Sequence, residues 1–256
     1  MKKYISTGGA GDAWICYLKI RALKNKDEAV DWLHVESTAE VKAAMDYIKN
    51  KFESGILLYN NVFNFEHDPD YIENYKKGKW SDRIPISSGI DSWCPLKGET
   101  EIKLEVPFIH DDLERNIELK YDYCIQVSGG AKNNRGWRFD PRYLKKILDS
   151  YGKRVILVGT DRRFYDEKDE NNLVGKTSNI GDAFALIGKS NTFIGLSGFL
   201  NYWCSSMKIN NIFLEESPEH TKRYFHPDWM EYAQSVKYGS LGEVLKLIHD
   251  KGPADG

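Results

Sequence analysis

The sequence predicts an α/β protein built from two Rossmann-like units that face each other across a cleft, and three observations carry that expectation. Strand-like apolar runs alternate with helical ones in the first half, as Lys3–Ser6, a helix from Ala13 to Leu23, Val30–Val35, a helical stretch Ala39–Lys49 and Gly55–Tyr59. The alternation restarts in the second half with Tyr123–Val127, Pro141–Ser150, Val155–Val158, a helix around Asp182–Ile187, Thr192–Ile194, Phe199–Met207 and Asn211–Leu214. A glycine-bearing loop follows the first strand of each half, at the carboxyl end where open α/β sheets bind ligands.

Between the halves the pattern changes character. From about Val62 to Ser92 the alternation dissolves into aromatics, prolines and charges, and Glu101–Phe108 returns as an alternating strand. The polar run His110–Arg115 reads as the linker, so residues 1–115 form the first domain and 116–240 the second, with 241–256 a C-terminal helix and frayed tail. Leu241, Val244, Leu245 and Ile248 share one face of that helix.

At 256 residues the chain is long enough to bury a large core, and 41% hydrophobic with 29% charged residues is ordinary globular composition. No apolar run approaches the roughly 20 residues of a membrane helix. The N-terminus Met1-Lys2-Lys3-Tyr4-Ile5 lacks the apolar stretch of a secretion signal, so a cytoplasmic location is expected. Cys16, Cys94, Cys124 and Cys204 are far apart and form no C-x-x-C pair, which predicts reduced thiols and no zinc knuckle. A net charge of −2 gives no electrostatic footing for nucleic acid, although Lys76–Lys79 and Lys132–Arg138 are local basic clusters.

The first loop, Ser6-Thr7-Gly8-Gly9-Ala10-Gly11-Asp12, ends in a carboxylate at a helix start. Gly9 and Gly11 allow a ligand to approach the backbone closely, and Asp12 is equally readable as a helix cap or as a catalytic base. In the second half, Ser128-Gly129-Gly130 is followed by Lys132, Arg135, Trp137 and Arg138, a set of amides and cations suited to a diphosphate. Val155–Asp161 and Asn172–Ser178 read as two further strand ends, contributing Gly159, Thr160 and Thr177. Gly195-Leu196-Ser197-Gly198 runs into a helix, where Ser197 and Gly198 offer an anion site or Ser197 a plain N-cap. Glu215, after the last apolar strand, is placed to meet a ribose or to lie in a solvated acidic turn. Tyr75, Trp80 and Trp93 could stack on a sugar or pack beneath a loop, and His226-Pro227-Asp228 is the nearest approach to a metal-ligand cluster.

Taken in order, Gly8–Asp12, Ser128–Arg138, Val155–Thr160, Asn172–Ser178 and Gly195–Gly198 resemble the motifs of the heptosyltransferase-type family of glycosyltransferases. The resemblance implies the GT-B fold, with a reduced N-terminal domain. It implies Asp12 as general base, Lys132 and Arg135 on the donor phosphates, and Ser197-Gly198 as the diphosphate-binding helix start. Two positions depart from the family pattern: Leu196 stands where an acid is usual, and Asn201 where a histidine is usual. The implied activity is metal-independent, inverting transfer of a hexosyl, heptosyl or pentosyl group from a nucleoside-diphosphate sugar to a saccharide hydroxyl. Hydroxymethylated DNA is an alternative acceptor, and a catalytically degenerate nucleotide-binding module an alternative class.

Overall fold

The computed structural model describes residues 1–24, 29–36, 42, 46, 62–88, 120–128, 137–177, 180–215, 225, 229–237 and 240–250. The chain divides into two compact units, one comprising Met1–Phe108 with Arg223–His226, the other Ile109–Lys222 with Pro227–Gly256.

The first unit holds a parallel sheet. Strand β1 (Lys2–Thr7) pairs with β2 (Val30–Glu36) on one side and with the two-residue β4 (Ile84–Pro85) on the other, while β3 (Val62–His67) extends the sheet beyond β2. The winding therefore runs outward from β1 to β2 and β3, then reverses to β4. Val62–His67, which the sequence suggested was irregular, is a strand with a six-residue parallel register to β2. Its Phe65 packs edge-on against Trp32 at 5.5 Å, a tertiary contact that overrides its weak local pattern. The predicted elements at 39–49, 55–59 and 101–108, and the 110–115 linker, fall outside the described residues, apart from helical Lys42 and Asp46.

Helix α1 spans Ala10–Lys24, starting three residues before the expected Ala13. Its residues from Ala13 to Ile20 are all buried, Lys19 included, so it is covered all round at this depth rather than along one stripe. A short helix, α2 (Tyr71–Lys76), has no buried residue. Trp80 beyond it is buried against Ile5, Leu33 and Val35, which makes it a core residue and not an exposed stacking platform.

The second unit holds a five-stranded parallel sheet: β5 (Tyr121–Gln126), β6 (Val155–Val158), β7 (Ser190–Leu196), β8 (Asn211–Glu215) and β9 (Ala233–Lys237), ordered β6-β5-β7-β8-β9. From β5 the chain goes to β6 on one side and then to β7, β8 and β9 on the other. Helices α3 (Pro141–Ser150), α4 (Ile180–Gly188), α5 (Phe199–Ser206) and α6 (Leu241–Asp250) connect and flank these strands. Pro141 opens α3 with Asp140 as N-cap, its side chain accepting the Arg142 N–H at 2.9 Å. Ile125, Val155, Leu157, Ile194, Ile212 and Leu214 form the centre of one apolar core. The Asn172–Ser178 segment is not a strand end: Asn172 makes only an isolated bridge to Leu157, and a turn follows. Among the described residues Cys16, Cys124 and Cys204 are buried free thiols, and no helix is long and apolar enough to cross a membrane.

Candidate functional site

In the first unit the winding reverses between β1 and β4, and the crevice outside the carboxyl ends of two such strands is where parallel sheets place ligands. Gly8 and Gly9 leave β1 there, and Ile86–Ser88 leaves β4. Gly8 has φ +133, a conformation that favours glycine, and a Cβ on it would stand 2.5 Å from Asp12 Oδ2. The chain thus turns into α1 with the carboxylate folded back over the turn. Asp12 Oδ2 accepts the Gly9 N–H at 2.9 Å, and Asp12 Oδ1 accepts the Ser88 hydroxyl at 2.5 Å.

The first of these bonds is the return arm of a capping box, so Asp12 does cap its own helix. The second is not local, and a cap does not require it. Ser88 is delivered by the extension of β4, where the Ile86 N–H bonds to Ile5 O at 2.8 Å and the Lys19 ammonium donates to the Ser87 carbonyl. Burial lowers the Lys19 pKa to about 8. Gly11 lies within the first turn of α1.

Behind the turn is a buried polar group that the sequence did not reveal. The Trp32 indole N–H donates to Ser6 Oγ at 2.9 Å, and Ser6 Oγ lies 2.7 Å from His34 Nδ1. His34 Nε2 faces the Gly8 carbonyl at 3.4 Å and Glu36 Oε1 at 3.9 Å. Burial pushes the His34 pKa down to about 4 and that of Glu36 up to about 8, the latter with help from the Asp46 and Asp12 charges.

In the second unit the reversal falls between β5 and β7. Ser128, two residues past β5, accepts the backbone N–H groups of Thr160 and Asp161, each at 3.3 Å, and so ties the β5 and β6 ends together. Gly159 makes this possible: at φ +145 it presents no side chain, and a Cβ there would meet Val127 Cγ2 at 2.8 Å and Ser128 Oγ at 3.1 Å. Trp137 donates its indole N–H to the Gln126 carbonyl at 2.7 Å, which fixes where the basic turn ends. Arg138 beside it is exposed, while Lys132 and Arg135 lie outside the described residues.

After β7, the N-cap of α5 is Gly198, with no side-chain cap bond, so Ser197 is not the cap. Ser197 is buried, and its N–H bonds to Leu214 O at 2.9 Å. Glu215, closing β8, is buried as well, which overturns the solvated-turn alternative. Thr177 lies just before α4, behind the turn that Asn172 pins by donating to Phe164 O and accepting from the Val174 N–H. Leu196 belongs to the apolar core, and Asn201 is wholly buried. Gln126 was missed by sequence reasoning: its Oε1 is buried without a partner, 2.7 Å from where a Cβ on Gly195 would stand.

Two of the features weighed from sequence do not join these sites. Lys79 is paired with Glu66 and Asp68, both at 2.8 Å, and Lys77 with Glu73 at 2.6 Å, so these cations are already engaged by carboxylates. His226-Pro227-Asp228 lies outside the described residues, and among those described no His, Cys, Asp and Glu group is placed to hold a metal.

The sequence matches no family model and no curated protein. Solved structures do match it. The ADP-heptose LPS heptosyltransferase II of E. coli aligns over 98% of this chain and 98% of its own, with a TM-score of 0.58 at 12% identity. A family 9 glycosyl transferase from Veillonella parvula aligns over 97% and 89%, with a TM-score of 0.53 at 9% identity. The iron-containing dodecameric heptosyltransferase TibC, solved with ADP-D-β-D-heptose, aligns over 92% of this chain and 62% of its own, at 0.50 and 14% identity. The chain therefore has a heptosyltransferase-like fold.

Proposed function

We propose that the protein is a GT-B glycosyltransferase with two Rossmann-like units, the first reduced, that moves a sugar from a nucleoside diphosphate to an acceptor hydroxyl with inversion. The observation that carries this reading is Asp12, held by the Gly9 N–H and the Ser88 hydroxyl at the reversal point of its sheet. A carboxylate so fixed is fit to take the proton of an acceptor hydroxyl. As that O–H bond breaks, the oxygen forms its bond to the anomeric carbon. The bond from that carbon to the diphosphate breaks on the opposite face, and the nucleoside diphosphate leaves with the electron pair.

The charge of the leaving group falls to the second unit in this reading. Backbone amides at the start of α5, the Ser128–Gly159–Thr160 corner and the cations Lys132, Arg135 and Arg138 are the groups assigned to the diphosphate, and the reading calls for no metal. Glu215 is assigned to the ribose. A saccharide acceptor is preferred to DNA, because Lys77 and Lys79 are paired with carboxylates and not free for phosphate.

The test is thermal unfolding with nucleoside diphosphates and no divalent ion. A ligand that binds only the native state raises the melting temperature. A rise with one diphosphate at sub-millimolar concentration is expected, and no rise with any at millimolar concentration sinks the reading.

A further inference from the structure

Glu36 closes β2, and its carbonyl accepts the Asp68 N–H at 2.8 Å. Its side chain is buried, and neither carboxyl oxygen has a hydrogen-bond partner. The charged and titratable groups around it are His34 on its own strand, Asp12 on α1, the Lys42–Asp46 ion pair, and exposed His67, its register neighbour on β3. Lys42 is already paired with Asp46, and the two aspartates repel a third negative charge. An ionised carboxylate without donors is costly in such a place, whereas a protonated one is tolerated.

The neighbouring hydrogen bonds give that proton a consequence. The Gly8 carbonyl can only accept, so the His34 Nε2 that faces it at 3.4 Å carries the ring proton. In the neutral ring Nδ1 is then the acceptor, taking the hydroxyl proton of Ser6, whose oxygen also accepts the Trp32 indole N–H, while Glu36 Oε1 stands 3.9 Å from Nε2 as a second oxygen in front of it. The Gly8 carbonyl and the Gly9 N–H belong to one rigid peptide plane. A single chain of polar contacts thus runs from His34 through that peptide to Asp12 Oδ2.

We propose that Glu36 is a positioning residue for Asp12: while it holds its proton, the His34 N–H is left to the Gly8 carbonyl and the peptide keeps Asp12 in place. Losing the proton makes Glu36 the stronger acceptor, draws the His34 N–H off Gly8 and frees the turn. This rests on the reading of Asp12 as the base.

The native Glu36 pKa of about 8 lies above its unfolded value, so its stability contribution is full below about 4.5 and lost as pH rises toward 8. The experiment compares wild type with Glu36→Gln, which keeps the shape of the neutral acid. Between pH 6.5 and 8 the wild-type unfolding equilibrium shifts toward the unfolded chain by about 15-fold relative to the variant, or about 5 °C in melting temperature. Parallel melting curves overturn the proposal. Turnover of a nucleoside-diphosphate sugar gives the second readout. The wild-type kcat falls several-fold above pH 8 at constant donor KM, Glu36→Gln holds its kcat, and Glu36→Ala is impaired at every pH. A Glu36→Gln profile that falls like the wild type, or a change confined to KM, overturns the positioning role. Asp12→Asn separates the two readings. If it leaves turnover intact, the base reading falls and the role of Glu36 with it. If it abolishes turnover while Glu36→Gln titrates like the wild type, only the present proposal falls.

Discussion

The Ser88 hydroxyl donates to Asp12 Oδ1 at 2.5 Å across 76 residues of sequence, from the extension of one strand to the helix that follows another. With the Gly9 N–H on Oδ2 at 2.9 Å, each carboxylate oxygen has one fixed donor. A carboxylate oxygen has two lone pairs, so each keeps one for an incoming hydroxyl while the group is held in a single rotamer. Both donors sit on short backbone segments anchored in the sheet, which is the preorganisation that proton abstraction requires.

Asp12→Asn preserves size, and its amide oxygen still accepts the Gly9 N–H, but it removes the proposed base. Turnover is expected to fall by about 10²–10⁴-fold with donor affinity and melting temperature nearly unchanged. Ser88→Ala is expected to lower kcat by about tenfold with little change in donor KM, since it removes orientation and not the base. Steady-state kinetics on both variants provide the check. Near-normal turnover in Asp12→Asn with a stability loss of about 1 kcal/mol would leave the residue as a cap alone.

Gly8→Ala tests the turn itself. The new methyl would lie 2.5 Å from Asp12 Oδ2 on a backbone of φ +133, so both the chain and the carboxylate must move. A loss of about 2 kcal/mol or more in urea unfolding is expected, together with loss of turnover. Wild-type stability in this variant would show that the turn is not held as described.

Much of this architecture was legible because several strands are dense apolar runs. Val30–Val35 and Val155–Val158 announced β2 and β6, and the helix read over Pro141–Ser150 is α3 to the residue. The rest depends on partners distant in sequence. Strand β4 is two exposed residues, one of them proline, and exists only through pairing with β1. Strand β9, Ala-Gln-Ser-Val-Lys, is a polar edge that β8 organises. Asp12 was readable from its glycines, yet Ser88 was not, because nothing local marks the residue that crosses the sheet. Glu36 stood in plain view at the end of a predicted strand, but no pattern tells a buried carboxyl from a solvated one. Trp80 shows the converse, a residue read as a possible platform that the core claims.

The acid side of the stability profile belongs to His34. Its native pKa of about 4 lies below the unfolded value, so the unfolded chain binds more protons between about 4 and 6.5 and stability climbs with pH through that window. The contribution is about 3 kcal/mol at most. Glu36 acts with the opposite slope above about 4.5, so the two offset each other in the wild type. In Glu36→Gln the climb from pH 4.5 to 6.5 is expected to emerge undiminished, and a flat profile in that variant would remove His34 from the account.

The proposed donor side divides into residues expected to bind and residues that shape the corner. Arg138 is exposed, so Arg138→Ala is expected to weaken nucleoside-diphosphate binding by about tenfold without moving the melting temperature, with Lys132→Ala and Arg135→Ala behaving alike. Gly159→Ala should differ. Its methyl would press on Val127 at 2.8 Å and on the Ser128 hydroxyl at 3.1 Å, and with it the corner where Thr160 and Asp161 N–H groups converge. Affinity and stability are expected to fall together there, the latter by about 2 kcal/mol. Calorimetric titration with the diphosphate identified by thermal shift makes the comparison. Unchanged affinity in all three cation variants would return the basic turn to solvent, and with Gly159→Ala also silent the phosphate cradle would have to be sought elsewhere in the second unit.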